Sequence, residues 1–254
     1  MTNETTIEKL REMRLTAFAE SLQEQLNDSS FQSLSFEERL GLLVDVEWSS
    51  RKNNRLKRLI KSADFDQSHA CIAGIDYRPA RKLNKSEILR LATCKYIDDH
   101  HNIIIMGATG AGKSYIACAF GIAACQKFLT VKYIRLPDLL VELAVARNEG
   151  SYKKLISQYK KLRLLILDEW MLVSLTENEA RDVLEIIHAR HHRFSTIFCS
   201  QFAPAGWHAK IGEATIAEAI LDRIVHDSYT IEIHSDPKDP SMREMYGINK
   251  KLDS

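Results

Sequence analysis

The chain has 254 residues, 45% of them hydrophobic and 27% charged, the balance of an ordinary globular protein with enough apolar side chain for a sizeable core. Thirty-five basic residues stand against 34 acidic ones, a net charge of +1, so overall charge points to no partner and any nucleic-acid surface must come from local segregation. No stretch reaches 18 consecutive apolar residues, the N-terminus lacks a basic-then-apolar leader, and the five cysteines form no CxxC pair; a membrane span, a secretion signal and a disulfide framework are not expected, and a cytoplasmic protein with free thiols is.

The first 65 residues read as helices. Ile7, Leu10, Leu15, Phe18, Leu22 and Leu26 recur roughly on one helical face, up to the break at Asn27-Asp-Ser-Ser30. Ser35 and Glu38 have the spacing of a capping box. The helix they open carries Leu40, Leu43, Val44, Trp48, Leu56, Leu59 and Ile60, with a candidate break at Asn53-Asn54. Between Arg51 and Lys95 twelve basic residues face four acidic ones, +8 in a chain of +1. Arg51, Lys52, Arg55, Arg58, Lys61, Arg78, Arg81 and Lys82 are therefore the candidate DNA contacts, against the plainer reading of a solvated helix face.

Strands then alternate with helices. Asn102–Met106 reads as a buried strand, followed by a glycine-rich turn and an apolar helix to about Lys127. Thr130–Ile134 is a second strand, and Pro137 opens a helix through Leu139, Leu140 and Leu143. Leu164–Leu167 is a short, wholly apolar strand. Thr176 and Glu179 cap a helix running to about Arg193, Ser195–Ser200 is a fourth strand, Thr215–Asp227 a helix and Tyr229–Ile233 a fifth strand. This alternation predicts an α/β domain with a parallel sheet covered on both faces. The division expected is a helical N-terminal domain, 1–65, and a nucleotide-binding domain, 66–254.

The strongest motif is Gly107-Ala108-Thr109-Gly110-Ala111-Gly112-Lys113-Ser114, which fits G-x-x-x-x-G-K-[ST] between a strand and a helix. Glycines there let successive N–H groups turn inward around phosphate oxygens, and the helix N-terminus adds positive potential. Lys113 is suited to the β- and γ-phosphates of ATP, and Ser114 to Mg²⁺. The second motif is Leu164-Leu-Ile-Leu-Asp168-Glu169, 55 residues beyond Lys113. Asp168 would share the Mg²⁺, and Glu169 would polarise the attacking water. An adjacent acidic pair favours hydrolysis over transfer to a small-molecule acceptor. Ser200 and Gln201 end a strand where a polar group can sense the γ-phosphate. Arg223 is a candidate arginine finger acting on a neighbouring subunit, and Arg243 a candidate second phosphate contact. His188, His191 and His192 have helical i, i+3, i+4 spacing. No nearby Cys or carboxylate plainly completes a zinc set, although Glu185 is one turn away, so a polar helix face is favoured.

The phosphate loop, Asp168-Glu169, Ser195-Thr-Ile-Phe-Cys-Ser-Gln201, Trp207-His208, Ala217–Ile224 and Ser241-Met-Arg243 together resemble the IstB-like ATPases, transposition helpers of insertion sequences related to DnaC helicase loaders within the AAA+ group. The resemblance covers nearly the whole chain. It implies an AAA+ P-loop fold with sheet order 5-1-4-3-2 and a small helical N-terminal domain. It also implies an arginine-finger position for Arg223, a sensor-2 position for Arg243, and ATP-dependent homo-oligomers on duplex DNA that stimulate a partner transposase. The alternative it leaves is a replicative helicase loader. A small-molecule kinase and a non-catalytic DNA-compaction module are the remaining readings, and the intact Glu169 and Arg223 argue against the second. Relatives often have glycine where this chain has Met171, and Arg-Tyr-Glu where it has Arg190-His-His192. They usually have a shorter turn before Ser241.

Overall fold

The computed structural model describes residues 3–235 and 241–246. The chain forms two compact units, Met1–Arg58 and Leu59–Ser254. The first holds α1 (Asn3–Glu12), α2 (Thr16–Asn27) and most of α3 (Phe36–Ala63). The periodicity of residues 7–26 reads as one helix, but the structure breaks it at Arg14. Arg14 takes a left-handed φ of 60°, and the N–H groups of Arg14 and Leu15 donate back to the Arg11 and Leu10 carbonyls. That is the hydrogen-bond pattern of a Schellman cap, and the five-residue step from Leu10 to Leu15 is its trace in the sequence. The Ser35–Glu38 capping box forms in both directions. Asn53-Asn54 does not interrupt α3, since asparagine in a helix interior costs only a few tenths of a kcal/mol to about 0.7 kcal/mol.

The second unit is built on β1 (Asn102–Gly107), β2 (Val131–Arg135), β3 (Leu164–Asp168), β4 (Ser195–Ser200) and β5 (Ser228–Ile233). All pairings are parallel, in the order β2-β3-β4-β1-β5, which is the expected 5-1-4-3-2 seen from the other edge. Every residue of β3 and β4 is buried, as the continuous apolar run Leu164–Leu167 requires of a central strand covered on both faces. Helices α4 (Lys85–Ala92), α5 (Lys95–Asp98), α6 (Lys113–Gln126), α7 (Leu136–Asn148), α8 (Tyr152–Lys161), α9 (Glu177–Arg190), α10 (Pro204–Ile211), α11 (Ala214–Val225) and α12 (Met242–Tyr246) accompany the strands.

The Thr176–Glu179 capping box opens α9, but α9 ends at Arg190, three residues before the sequence pattern suggests. Arg190 ends it because its guanidinium turns inward. It donates to Thr196 Oγ1 and to the carbonyls of Tyr159, Leu162 and Ser195. Burial lowers its pKa to about 9, and these four acceptors satisfy a group whose desolvation would otherwise cost several kcal/mol. α8 has no counterpart among the elements read from the sequence, although Tyr152, Leu155, Ile156 and Tyr159 carry helical spacing. Cys94, Cys118, Cys125 and Cys199 are buried and Cys71 is exposed, all as free thiols. Among the described residues, no helix is long and apolar enough to cross a membrane.

Candidate functional site: the phosphate loop and the ends of β1, β3 and β4

β1 delivers Gly107 to the end of the sheet, and the chain turns through residues 108–112 into α6. Gly110 and Gly112 hold φ of +77° and +91°, left-handed values that side-chain-bearing residues adopt only with strain. A Cβ on Gly112 would also stand 3.1 Å from the Arg81 guanidinium. The Lys113 ammonium donates to the Gly107 and Ala108 carbonyls, 2.8 Å each. It thus lies across the mouth of the loop, where phosphate oxygens would be received.

β3 lies two strands from β1 and brings Asp168 to the same end. The buried Asp168 carboxylate accepts from Ser114 Oγ at 2.5 Å and Tyr133 OH at 2.7 Å on Oδ2, and from the Glu169 N–H at 2.7 Å on Oδ1. Burial, then the Asp168 charge, push the Tyr133 phenol far up, so it stays a donor. A hydroxyl and a carboxylate in contact are hard oxygen ligands, suited to Mg²⁺. The phosphate loop and this pair fit a magnesium nucleotide.

Beyond Asp168 the backbone turns sharply. Glu169 and Met171 both take left-handed φ, 53° and 54°. Met171 thus adopts a conformation that glycine takes without strain. The turn carries Glu169 out of the sheet, half-exposed, with Oε1 3.7 Å from Arg135 Nη1. It drives Trp170 inward, edge-on to Phe198 at 4.7 Å and to Trp207 at 5.8 Å between ring centroids. A non-glycine residue in this backbone region costs on the order of 1–3 kcal/mol and persists only where the surroundings fix it; the aromatic cluster does so here.

Two sequence-based assignments need correction. Ser200 is buried, and its hydroxyl donates to the Trp170 carbonyl at 3.0 Å while accepting from Phe202 N–H and Trp207 Nε1. One donor and two acceptor positions are all a serine hydroxyl has, so Ser200 braces the turn behind Glu169 and does not face a phosphate. Gln201 is exposed immediately after it; because Ser200 pairs in register with Met106, Gln201 stands beside the loop. Arg81 is buried too. Its guanidinium donates to the Asp76 and Ala111 carbonyls, 2.6 Å each, holding the loop in place. It is not placed to meet a DNA backbone.

Sequence reading gave no sign of this brace, because nothing in spacing separates Arg81 from its exposed neighbours Arg78 and Lys82. Leaving a buried carbonyl unpaired costs about 1–3 kcal/mol. Arg81→Ala is therefore expected to weaken ATP binding about tenfold or more, and Lys82→Ala to leave it unchanged, in a titration with a fluorescent ATP analogue. Equal affinities in the two variants would show that the brace does not shape the site.

The remaining candidates lie further out. On α11, Ile216, Ala217, Ile220 and Ile224 face the core, which leaves Arg223 partly exposed, its guanidinium donating to the Ala219 carbonyl of its own helix at 2.6 Å. The Met242 N–H that begins α12 donates to the Gly110 carbonyl at 3.0 Å, so the backbone of Arg243 adjoins the loop; its side chain lies outside the described residues. In the first unit Arg51 pairs with Glu47 and the Arg14 carbonyl, and Arg58 donates to the Asn54 carbonyl. Lys52 lies over the Trp48 ring. In the second unit Lys61 and Lys82 are exposed, and Arg78 is paired with Asp76.

The family model described as IstB-like ATP binding protein matches residues 8–245. An insertion sequence ATP-binding protein of Sinorhizobium fredii is 40% identical over 228 residues, covering 90% of this chain and 93% of its own length. The IS1162 ATP-binding protein of Pseudomonas fluorescens is 40% identical over 201 residues, covering 79% and 87%. Among solved structures, DnaI aligns with a TM-score of 0.59 at 20% identity, over 74% of this chain and all of that one, a likeness of fold.

Proposed function

The chain belongs to the IstB-like ATP-binding family of insertion sequences, and from that premise we propose that it is a Mg²⁺-dependent, DNA-stimulated ATPase that assembles with ATP on duplex DNA and assists the transposase of its element. The observation that carries the catalytic part is the contact of Ser114 with Asp168 at the phosphate loop, with Glu169 turned out beside them. Lys113 and the loop amides hold the β- and γ-phosphates. Ser114 and Asp168 hold Mg²⁺, which when bound neutralises charge developing on the phosphates. Glu169 orients and polarises the attacking water, and Gln201, beside the loop, would contact the γ-phosphate. Arg223 would serve the nucleotide of a neighbouring subunit, and Arg243 would be a second phosphate contact.

The DNA part rests on charge. Arg51, Lys52, Arg55 and Arg58 lie on the last turns of α3 in the first unit, and Lys61, Arg78 and Lys82 in the second. Residues 1–65 would carry DNA and partner contacts and residues 66–254 the ATPase. The exposed stripe Leu40, Val44 and Trp48 on α3 is apolar surface of the kind that assembly or a partner covers. A replicative helicase loader shares the fold, but the relatives at 40% identity are named for insertion sequences.

Two measurements test the reading together: ATP hydrolysis with and without duplex DNA, and particle mass by light scattering with ATP. Stimulation by DNA and growth into a large particle are expected. DNA affinity should be largely indifferent to sequence and fall linearly in log K against log salt, because phosphate contacts release counterions. A DNA-indifferent monomer would overturn the reading and move the search to small-molecule phosphate acceptors.

A further inference from the structure

Away from the phosphate loop, two imidazoles and a carboxylate converge at the junction of α9, α11 and β5. One ligand atom each from His191, His192 and Asp227 lies within 4.8 Å of the others. His191 is the residue that caps α9, and His192 follows with a left-handed φ of 55°. This leaves the helical spacing on which a set with His188 depended and brings the two rings, tilted by 43°, to 3.8 Å between centroids. Asp227, 35 positions later in the sequence, lies immediately before β5, where its carbonyl accepts from the Asn102 N–H at 2.8 Å.

The two imidazoles face one carboxylate oxygen. Nδ1 of His191 and Nδ1 of His192 lie 3.7 Å and 3.5 Å from the same oxygen, Asp227 Oδ2. These separations are long for N–H···O bonds. They are close to the spacing of ligands on one tetrahedral ion, since bonds of about 2.0–2.2 Å place neighbouring ligands about 3.3–3.5 Å apart. His191 Nδ1 is shielded from water and has no hydrogen-bond partner. The ring also lies near the Arg223 backbone. Arg223 is the charged neighbour that opposes a cation here.

We propose that His191, His192 and Asp227 form a binding site for Zn²⁺ or a similar borderline divalent ion, with two imidazole nitrogens, one carboxylate oxygen and a remaining position for water. Imidazole-rich mixed sites suit such ions, whereas the all-oxygen pair at Ser114 and Asp168 suits Mg²⁺. Because Asp227 lies four residues after Arg223, just past the end of α11, the ion ties the end of α9 to the root of β5 beside that arginine.

The test is a calorimetric titration of the full chain with Zn²⁺ alone, in saturating Mg²⁺, for wild type, His192→Ala and Asp227→Asn. Both variants are mild: His192 is mostly exposed, and asparagine keeps the volume of Asp227. Circular dichroism melting checks that they fold. One tight equivalent is expected in wild type, weakened more than ~100-fold in each variant, beyond what loss of an outer-shell partner costs. Titration with Co²⁺ should give visible bands without a thiolate charge-transfer band. Unchanged Zn²⁺ affinity in both variants, no binding below millimolar Zn²⁺, or a thiolate band assigning the ion to the cysteines would each overturn the proposal.

Discussion

Glu169→Gln is expected to bind ATP as wild type does and to hydrolyse it ~10²–10⁴-fold more slowly, the usual contribution of a positioned general base. The substitution keeps the shape of the side chain and removes only its ability to draw a proton from water. It touches none of the bonds that organise the metal and phosphate positions. Those run through Asp168, Ser114 and Tyr133, whereas Glu169 joins them only through its backbone N–H. The carboxylate itself is half-exposed beyond the strand, with Arg135 as its charged neighbour. An ATP-loaded assembly that forms normally and fails to turn over should therefore persist, with its mass by light scattering unchanged for hours. The decisive measurement is single-turnover hydrolysis of radiolabelled ATP. A wild-type rate would remove Glu169 from the mechanism. A matching loss of ATP affinity would instead assign it a structural role in the turn.

That turn also shows where sequence reading stops. The strands were legible because a parallel sheet covered on both faces demands near-continuous apolar runs, and Leu164–Leu167 and Ile103–Met106 are such runs. The phosphate loop was legible because left-handed backbone at fixed positions demands glycine, and Gly110 and Gly112 supply it. Ser200 was misread because a hydroxyl at a strand end looks the same in sequence whether it faces a phosphate or a buried indole; only the position of Trp207 decides. Arg81 and Arg190 were opaque for a related reason. A buried guanidinium is defined by the carbonyls around it, and those of Ala111, Tyr159 and Leu162 leave no trace in spacing. Asp227 was missed as a companion to the histidines because the sheet, not the helix, brings it to them. The order β2-β3-β4-β1-β5 came from family resemblance, since strand alternation fixes parallel pairing but not order.

Mixing two inactive variants should recover activity that neither has. Lys113→Ala removes the ammonium that crosses the loop mouth on the Gly107 and Ala108 carbonyls, and ATP binding should fall below detection in the same titration. Arg223→Ala changes a partly exposed side chain whose described bond is to its own helix. It should bind ATP normally and hydrolyse it ~10³-fold or more slowly, the scale of arginine fingers in well-studied GTPases. If Arg223 serves a neighbour's nucleotide, one variant carries the sound loop and the other the sound finger. In a head-to-tail assembly of equal parts, about a quarter of interfaces then combine both. Turnover of the mixture should rise to a comparable fraction of wild type, while each variant alone stays at its floor. Light scattering on the same sample establishes that mixed particles form. Mixed particles without recovered turnover would place the action of Arg223 within its own subunit, or outside the reaction.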